Sequence, residues 1–317
     1  MYPSTAQLNI CCDRLVKFHP ACRDSIGSGY DSWKQKLVSK FKNLRRPSTS
    51  SRVGVCQSEK ENNKTEMLHS DEYERHIKEL KRQYSGKWVL SSLLSLMNVT
   101  EANRRHWIEI EIPPVTAVLE KFPCLVEPSV MVNEFQHITK VYHEDVLERW
   151  IGVQSKILAY GKTCGKTNVK KFLSELSAAK QSCNNETVYA LHILMCFLGH
   201  KIEGNEFFKP FLGEYISLND AIVGTSCNSP YIAAFGKALA DLTDPVVVVE
   251  KTVLRMPSMG MAVVCCFFCY YIYNIQYPPS LRKFFIFFES IFNLKLSAIL
   301  PTCVSVLLDS LSKVNTC

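Results

Sequence analysis

The chain has 317 residues, 47% of them hydrophobic and 21% charged, and these proportions exclude a protein that is disordered throughout. Its net charge of +7 lies in the first third, because residues 1–90 carry 17 Lys and Arg against 10 Asp and Glu, whereas residues 91–317 carry 20 of each. The charge distribution therefore predicts a basic arm ahead of an electrically balanced body, and it limits acidic partners to the arm.

The 14 cysteines are spread along the chain. Residues 1–22 include Asp13, Arg14 and Lys17 and have no apolar stretch of signal-peptide length. We therefore expect reduced thiols rather than a disulfide framework, and an intracellular location, either cytoplasmic or nuclear.

Residues 1–47 form the predicted basic arm, with one amphipathic helix that begins near Asp31 or Ser32 and ends before Pro47. One apolar stripe follows the helical spacing and consists of Trp33, Leu37, Phe41 and Leu44. The other faces carry cations predicted to bind an acidic partner, namely Lys34, Lys36, Lys40, Lys42, Arg45 and Arg46. The structural alternative is a helix packed on residues 8–22 with its charges in water. The binding alternatives are nucleic-acid phosphates, a calmodulin-like partner or a membrane surface.

Residues 48–70 are polar and have no hydrophobic period, which predicts a disordered linker. Ser48 follows Arg45, Arg46 and Pro47, a pattern typical of basophilic kinase substrates. A phosphate on Ser48 would subtract up to about two charges from the arm.

The body, residues 71–317, shows mainly helical patterns. Tyr73, Ile77, Leu80 and Tyr84 share one face of a helix capped near Ser70. A second apolar run covers 88–97, and a further helix capped by Thr100 must end at Pro113 and Pro114. The clearest core helix is 186–198, for which Asn185 is the predicted cap and Gly199 the predicted end.

One segment of the body departs from the helical pattern. Pro245 is followed by four valines and, after Glu250 and Lys251, by more β-branched residues, which predicts extended chain. Residues 230–235 are its predicted partner. The predicted fold class is therefore mainly α: a multi-helix globular body with at most a small β-hairpin, preceded by the basic arm and the linker.

The segment 256–281 contains no charged residue between Arg255 and Arg282. Its length suits a membrane span, but prolines interrupt it. Its tyrosines and the amides of Asn274 and Gln276 also add polar groups that hydrocarbon disfavours. We interpret it as the central buried helix of the body. The alternative is an integral membrane protein with one span near 258–277.

The segments that resemble known chemical motifs do not fit them. In 161–167 the two glycines are separated by three residues rather than the four of a phosphate-binding loop, so we predict a connection between helices. Cys266 and Cys269 have the spacing of a metal pair but lie among aromatic residues and lack a second pair. A zinc site formed by Cys11, Cys12, His19 and Cys22 matches no standard spacing. We expect no metal ion and no cofactor.

Nucleophilic catalysis has no signature in the chain. There is no Gly-x-Ser-x-Gly elbow and no His-Glu-x-x-His helix. We interpret His192 as a hydrogen-bonded residue of the core helix rather than a base. We therefore expect no catalytic residues and no enzyme activity.

Three blocks of the sequence resemble fish proteins of the sterile alpha motif domain-containing protein 3-like group. The first is 17–24 (Lys-Phe-His-Pro-Ala-Cys-Arg-Asp) with 29–34 and 40–46, the second is 100–105 with 119–125 and 134–135, and the third is 271–278 (Tyr-Ile-Tyr-Asn-Ile-Gln-Tyr-Pro). The resemblance implies an intracellular, soluble, helical body of unassigned activity that a sterile alpha motif normally precedes. We expect that motif to be missing here, because about 70 residues would be needed ahead of Lys17.

These observations favour a non-enzymatic interaction or scaffold protein whose protein partner is not identified by the sequence. The alternatives are the membrane protein described above and a nucleic-acid-associated protein that uses the basic arm.

Overall fold

A computed structural model describes residues 5–20, 23, 30, 33–34, 67–142, 146–179, 183–201, 206–213, 218 and 229–314. The chain divides into two compact units, residues 1–52 and 53–317. In the first unit, helix α1 (Thr5–Phe18) carries an exposed ion pair between Asp13 and Lys17, 2.7 Å apart. The predicted arm helix beyond Lys34, the kinase site at Ser48 and the linker up to residue 66 lie outside the described residues.

The second unit is mainly helical, as predicted. Its described helices are α2 (Ser70–Tyr84), α3 (Leu90–Val99), α4 (Glu101–Glu111), α5 (Val115–Lys121), α6 (Pro128–Thr139), α7 (Val146–Thr163), α8 (Thr167–Ala178), α9 (Cys183–Leu198), α10 (Met259–Ile272), α11 (Arg282–Ile291) and α12 (Thr302–Ser312). Short 3₁₀ turns cover Pro123–Val126, Leu239–Asp241 and Pro279–Leu281.

The predicted apolar face of α2 is confirmed, because Tyr73, Ile77 and Leu80 are all buried. The cap was predicted near Ser70, but the N-cap position is His69, and no side chain caps the helix there. Helix α4 ends at Glu111, and the next residue, Ile112, has a φ of +49° that turns the chain out of the helix just before the two prolines.

The predicted helix connection at 161–167 is also confirmed. Helix α7 continues through Gly161 to Thr163, and α8 begins at Thr167. Helix α9 starts at Cys183, so Asn185 lies inside the helix and its prediction as the cap was wrong. Gly199 does end α9, with a φ of +72° that favours glycine.

The sheet has four strands in the order β1-β2-β3-β4, formed by Phe208–Leu212, Tyr231–Gly236, Thr243–Val249 and Thr252–Arg255. The predicted antiparallel pairing of β2 with β3 is confirmed. The expectation of at most a small hairpin was wrong, because β4 extends the sheet and β1 pairs parallel to β2. Strand β1 was not predicted from the sequence because it contains Pro210, and proline lowers strand propensity. The structure tolerates Pro210 because β1 is an edge strand of the sheet.

Helix α10 lies at the centre of the second unit, which confirms the prediction of a buried core helix. Every residue of α10 except Met261 is buried, and α6, α7, α9 and β3 pack around it. The helix is shorter than the uncharged run, because the chain turns after Ile272 and Asn274 has a φ of +52°. Among the described residues, no helix combines the length and the apolar character needed to cross a bilayer.

Aromatic rings fill the space around α10. Phe268 stacks on Phe135 of α6 with ring centroids 3.7 Å apart, and Phe267 stacks on Phe292 at 5.7 Å. Trp150 of α7 stacks on Phe288 of α11 at 5.4 Å. The rings therefore connect four elements of the unit into one core.

Candidate functional site

The thiols singled out in the sequence lie inside the core. Cys265, Cys266 and Cys269 are fully buried in α10. Burial raises the pKa of Cys265 to about 12, and it raises the pKa of Cys269 well above its usual value. A protonated thiol without solvent contact is neither a nucleophile nor a metal ligand, so these cysteines act as small hydrophobic side chains.

His192 has a structural role, as its position in the core helix predicted. Its Nδ1 lies 2.8 Å from the carbonyl oxygen of Val188, and Phe172 and Phe208 contact its ring. Burial lowers the pKa of His192 below its usual value. The imidazole therefore stays neutral within the helix that carries it.

A buried ion pair joins α4 to α6. The guanidinium of Arg104 donates from Nε to Oε1 of Glu134 at 3.0 Å and from Nη2 to Oε2 at 2.5 Å. Its Nη1 donates to the carbonyl oxygen of Met97 and to the hydroxyl of Thr100. Each charge thus has its partner within the protein. Sequence reasoning missed this pair, although Arg104 stands four residues before the buried Ile108 and so shares its face.

The adjacent Arg105 is held against the end of α10. Its guanidinium donates to the carbonyl oxygens of Ile272 and Tyr271, at 2.8 and 3.4 Å. The last carbonyls of a helix lack partners within the helix and carry partial negative charge. Arg105 therefore stabilises the carboxyl end of the central helix.

A second buried carboxyl lies on α11. Oε2 of Glu289 accepts hydrogen bonds from the backbone N–H and the hydroxyl of Ser297, at 2.8 and 3.0 Å. Burial raises the pKa of Glu289 above its usual value. The hydroxyls of Tyr271 and Tyr277 lie 3.0 Å apart in the same core. No pattern in the sequence indicated this group, because neither the pairing of Glu289 with Ser297 nor the contact between the two tyrosines follows a helical or strand period.

A basic cleft of about 710 Å³ lies where α8 begins and α9 ends. Its lining consists of Lys166, Thr167, Asn168, Cys196, Gly199, His200 and Lys201. Nζ of Lys166 donates to the carbonyl oxygen of Cys196 at 3.2 Å, so this cation already pairs with a carbonyl in the last turn of α9. Burial lowers the pKa of His200, and the nearby Lys283 lowers it further. The cleft contains part of the segment 161–167, with a helix rather than a strand before it.

The surface of the second unit carries three consecutive exposed apolar residues, Trp88, Val89 and Leu90, which we call the apolar ledge. Their exposed fractions are 38%, 61% and 36%. Trp88 stacks on Tyr84 with ring centroids 6.2 Å apart, and the hydroxyl of Tyr84 donates to Glu127 at 2.8 Å. The ledge is therefore anchored to α2 and to the start of α6 rather than free to fold away from water.

Exposed cations stand close to the ledge in the sequence. Lys81 and Lys87 are exposed, and neither reaches a carboxylate within the part of the chain that the structure describes. Arg82 is neutralised by Glu79, whose carboxylate it contacts at 2.6 and 2.7 Å. The sequence predicted an apolar helical run at 88–97 but could not distinguish the exposed beginning of that run from its buried remainder.

Of the basic residues predicted to bind an acidic partner, only Lys34 is described, as a half-buried helical residue. The arm's interaction with nucleic acid stays a prediction. Among the described residues, no three His, Cys, Asp or Glu side chains come together as metal ligands would. Comparison with protein-family models, with curated proteins and with solved structures found no match to this chain.

Proposed function

We propose that the protein is a non-enzymatic interaction protein and that the apolar ledge is its contact with a protein partner. The observation that carries the proposal is the exposure of Trp88, Val89 and Leu90 side by side on a fixed support. Single exposed apolar residues are ordinary, whereas adjacent ones around an aromatic side chain are typical of binding surfaces.

The energetics of association favour such a surface. Covering an apolar side chain contributes about 25 cal/mol for each Å² removed from water, and tryptophan is among the residues that dominate interface energy. Trp88 is already held by Tyr84, so little conformational entropy is lost when a partner covers it. The ledge is therefore a preorganised contact surface for a partner, and the exposed polar residues next to it are Ser91, Ser92 and Ser95.

The ionisable groups of the core support the non-enzymatic part of the proposal. Arg104 and Glu134 neutralise each other, the thiols of Cys265 and Cys269 have raised pKa values, and His192 is held by its own helix. Each of these groups has a structural role that accounts for its position.

A photo-crosslinking amino acid at Ser92 tests the proposal in the cells that make the protein. Ser92 is exposed and follows the ledge in α3. We expect discrete crosslinked protein species from the wild-type surface. They should be lost when Trp88→Ser, Val89→Ser and Leu90→Ser are combined, and weakened by Val89→Glu alone, which changes the most exposed residue of the ledge.

The matched control is Ile299→Ser, because Ile299 is an apolar residue with 94% exposure outside the ledge. This variant should keep the wild-type crosslinks. Circular dichroism and thermal melting of all variants verify that the fold is retained. Identical crosslinks from the wild-type and ledge variants would exclude the ledge as the contact and contradict the proposal.

A further inference from the structure

The charges around the apolar ledge bear on the chemistry of its partner, and this step rests on the proposed function. Lys81 stands one helical turn before Tyr84, and Lys87 directly precedes Trp88. Helix α3, which continues from the ledge, has no charged residue. Glu79 is paired with Arg82, whereas Glu127 accepts a hydrogen bond from the neutral hydroxyl of Tyr84 and keeps its negative charge, so Lys81 and Lys87 together exceed Glu127 by one positive charge.

The ledge therefore combines an apolar centre with a positive border. Lys78 lies one turn before Arg82 on the same helix and adds to the positive charge, while Glu79 cancels Arg82 alone. Lysine side chains extend their ammonium groups into water from an apolar stem, so both ammonium groups are available at the edge of the ledge. A partner with cations at the same place would be repelled.

We infer that the ledge binds an acidic amphipathic segment of another protein, with apolar side chains that cover Trp88, Val89 and Leu90 and carboxylates that meet Lys81 and Lys87. Border charges of this kind act mainly on association rate and on partner choice. A membrane surface is less favoured, because polybasic attachment to anionic lipid uses clusters of about four to eight Lys or Arg.

Two fluorescein-labelled helical peptides of about four turns provide the probe. Both carry Leu and Phe along one face, and the flanking positions are Glu in one peptide and Lys in the other. Fluorescence anisotropy with the full chain should give a dissociation constant about fivefold or more lower for the Glu peptide at about 50 mM salt. The ratio should approach one at about 1 M salt, where charges are screened over a few ångströms.

The variant Lys81→Glu/Lys87→Glu should reverse the preference between the peptides. Lys170→Glu/Lys295→Glu is its control, because it changes the net charge equally at exposed positions on other elements. The combined Ser variant of the ledge should lose both peptides, and circular dichroism verifies that each variant is folded.

Equal affinity for both peptides that is lost in the ledge variant would overturn the acidic class and leave the proposed function standing. Failure to bind either peptide would overturn the inference, while the crosslinking at Ser92 reports separately on the proposed function. Ledge-dependent binding to phosphatidylserine vesicles in preference to the Glu peptide would also overturn it, in favour of a lipid surface.

Discussion

The buried pair of Arg104 and Glu134 yields the sharpest prediction about stability. Their side chains are 1% and 2% exposed. Replacing Glu134 with Gln keeps the shape of the side chain but turns one of its acceptors into a donor that faces the guanidinium. Arg104 would then remain charged and buried without a counter-charge, and it would keep at most one hydrogen bond to position 134 beside those to Met97 and Thr100.

The expected cost of Glu134→Gln is about 3 to 5 kcal/mol, the usual cost of removing one member of a buried pair. That is a large part of the free energy of unfolding of a whole domain, which is about 5 to 15 kcal/mol. The double variant Arg104→Met/Glu134→Leu should recover most of the loss, because it buries no charge. Thr100 still has acceptors in that variant, the carbonyls of Leu96 and Met97.

The two single variants should differ in how their loss of stability depends on pH. Burial raises the pKa of Glu134, but the charge and hydrogen bonds of Arg104, together with the charge of Arg105, lower it by more, so the folded pKa is below normal. The stabilisation by the pair is therefore present above the unfolded pKa of about 4.3 and is lost as pH falls through the folded value. Above pH about 4.3 the cost of Arg104→Met should shrink as pH falls, because the unpaired, buried Glu134 takes up a proton in that variant, whereas the cost of Glu134→Gln should stay constant there and shrink only at lower pH, where the wild type loses the pair.

Urea unfolding followed by circular dichroism, at several pH values between about 4 and 8, measures these differences. The free energies of the single and double variants also give the coupling between the two residues. A cost of Glu134→Gln below about 1 kcal/mol, or the same pH dependence for both single variants, would refute the argument that the pair is buried and charged.

Three further predictions concern a buried carboxyl, a glycine and two cysteines. Burial raises the pKa of Glu289, so the wild type loses stability as pH rises from about 4.3 through the folded value, and Glu289→Gln should abolish that loss in urea unfolding. Gly236→Ala would place a methyl carbon 2.6 Å from the backbone oxygen of Asp241 and should cost about 1 to 3 kcal/mol in thermal melting. Maleimide should label the exposed Cys11 in the native protein and reach the buried Cys269 only after unfolding.

Each of these predictions has a control or a result that contradicts it. An unchanged pH slope in Glu289→Gln would show that the carboxyl does not titrate abnormally. Gly152→Ala has no atom within 4 Å of the added carbon and should gain up to about 1 kcal/mol from helix propensity. Rapid native labelling at Cys269 would mean that α10 is open to solvent.

Local patterns were sufficient for the elements whose burial follows a simple period. The spacing of Tyr73, Ile77 and Leu80 predicted the buried face of α2, and the valines after Pro245 predicted β3. The uncharged run that contains α10 was long enough for a membrane span, and its prolines, tyrosines and amides favoured a buried helix. These predictions succeeded because side-chain periodicity and turn residues act over a few positions.

The candidate site was less accessible to sequence reasoning. The run 88–97 is apolar apart from its three serines, yet Val89 is 61% exposed while Leu93 is fully buried. Strand β1 has Pro210 at its centre and exists because β2 offers it a parallel partner. In neither case does the residue type alone determine the environment, because that environment is supplied by other parts of the chain.

By itself, the sequence determined that this protein has a helical body, a β-branched strand pair and an uncharged helix suited to the core. Only the tertiary structure decided which cations are neutralised and which apolar residues stay in water. Arg104 meets Glu134 across 30 positions, and Arg105 meets Ile272 across 167. The physical reason is that periodicity is a local property, whereas burial and charge pairing depend on which distant segments pack together.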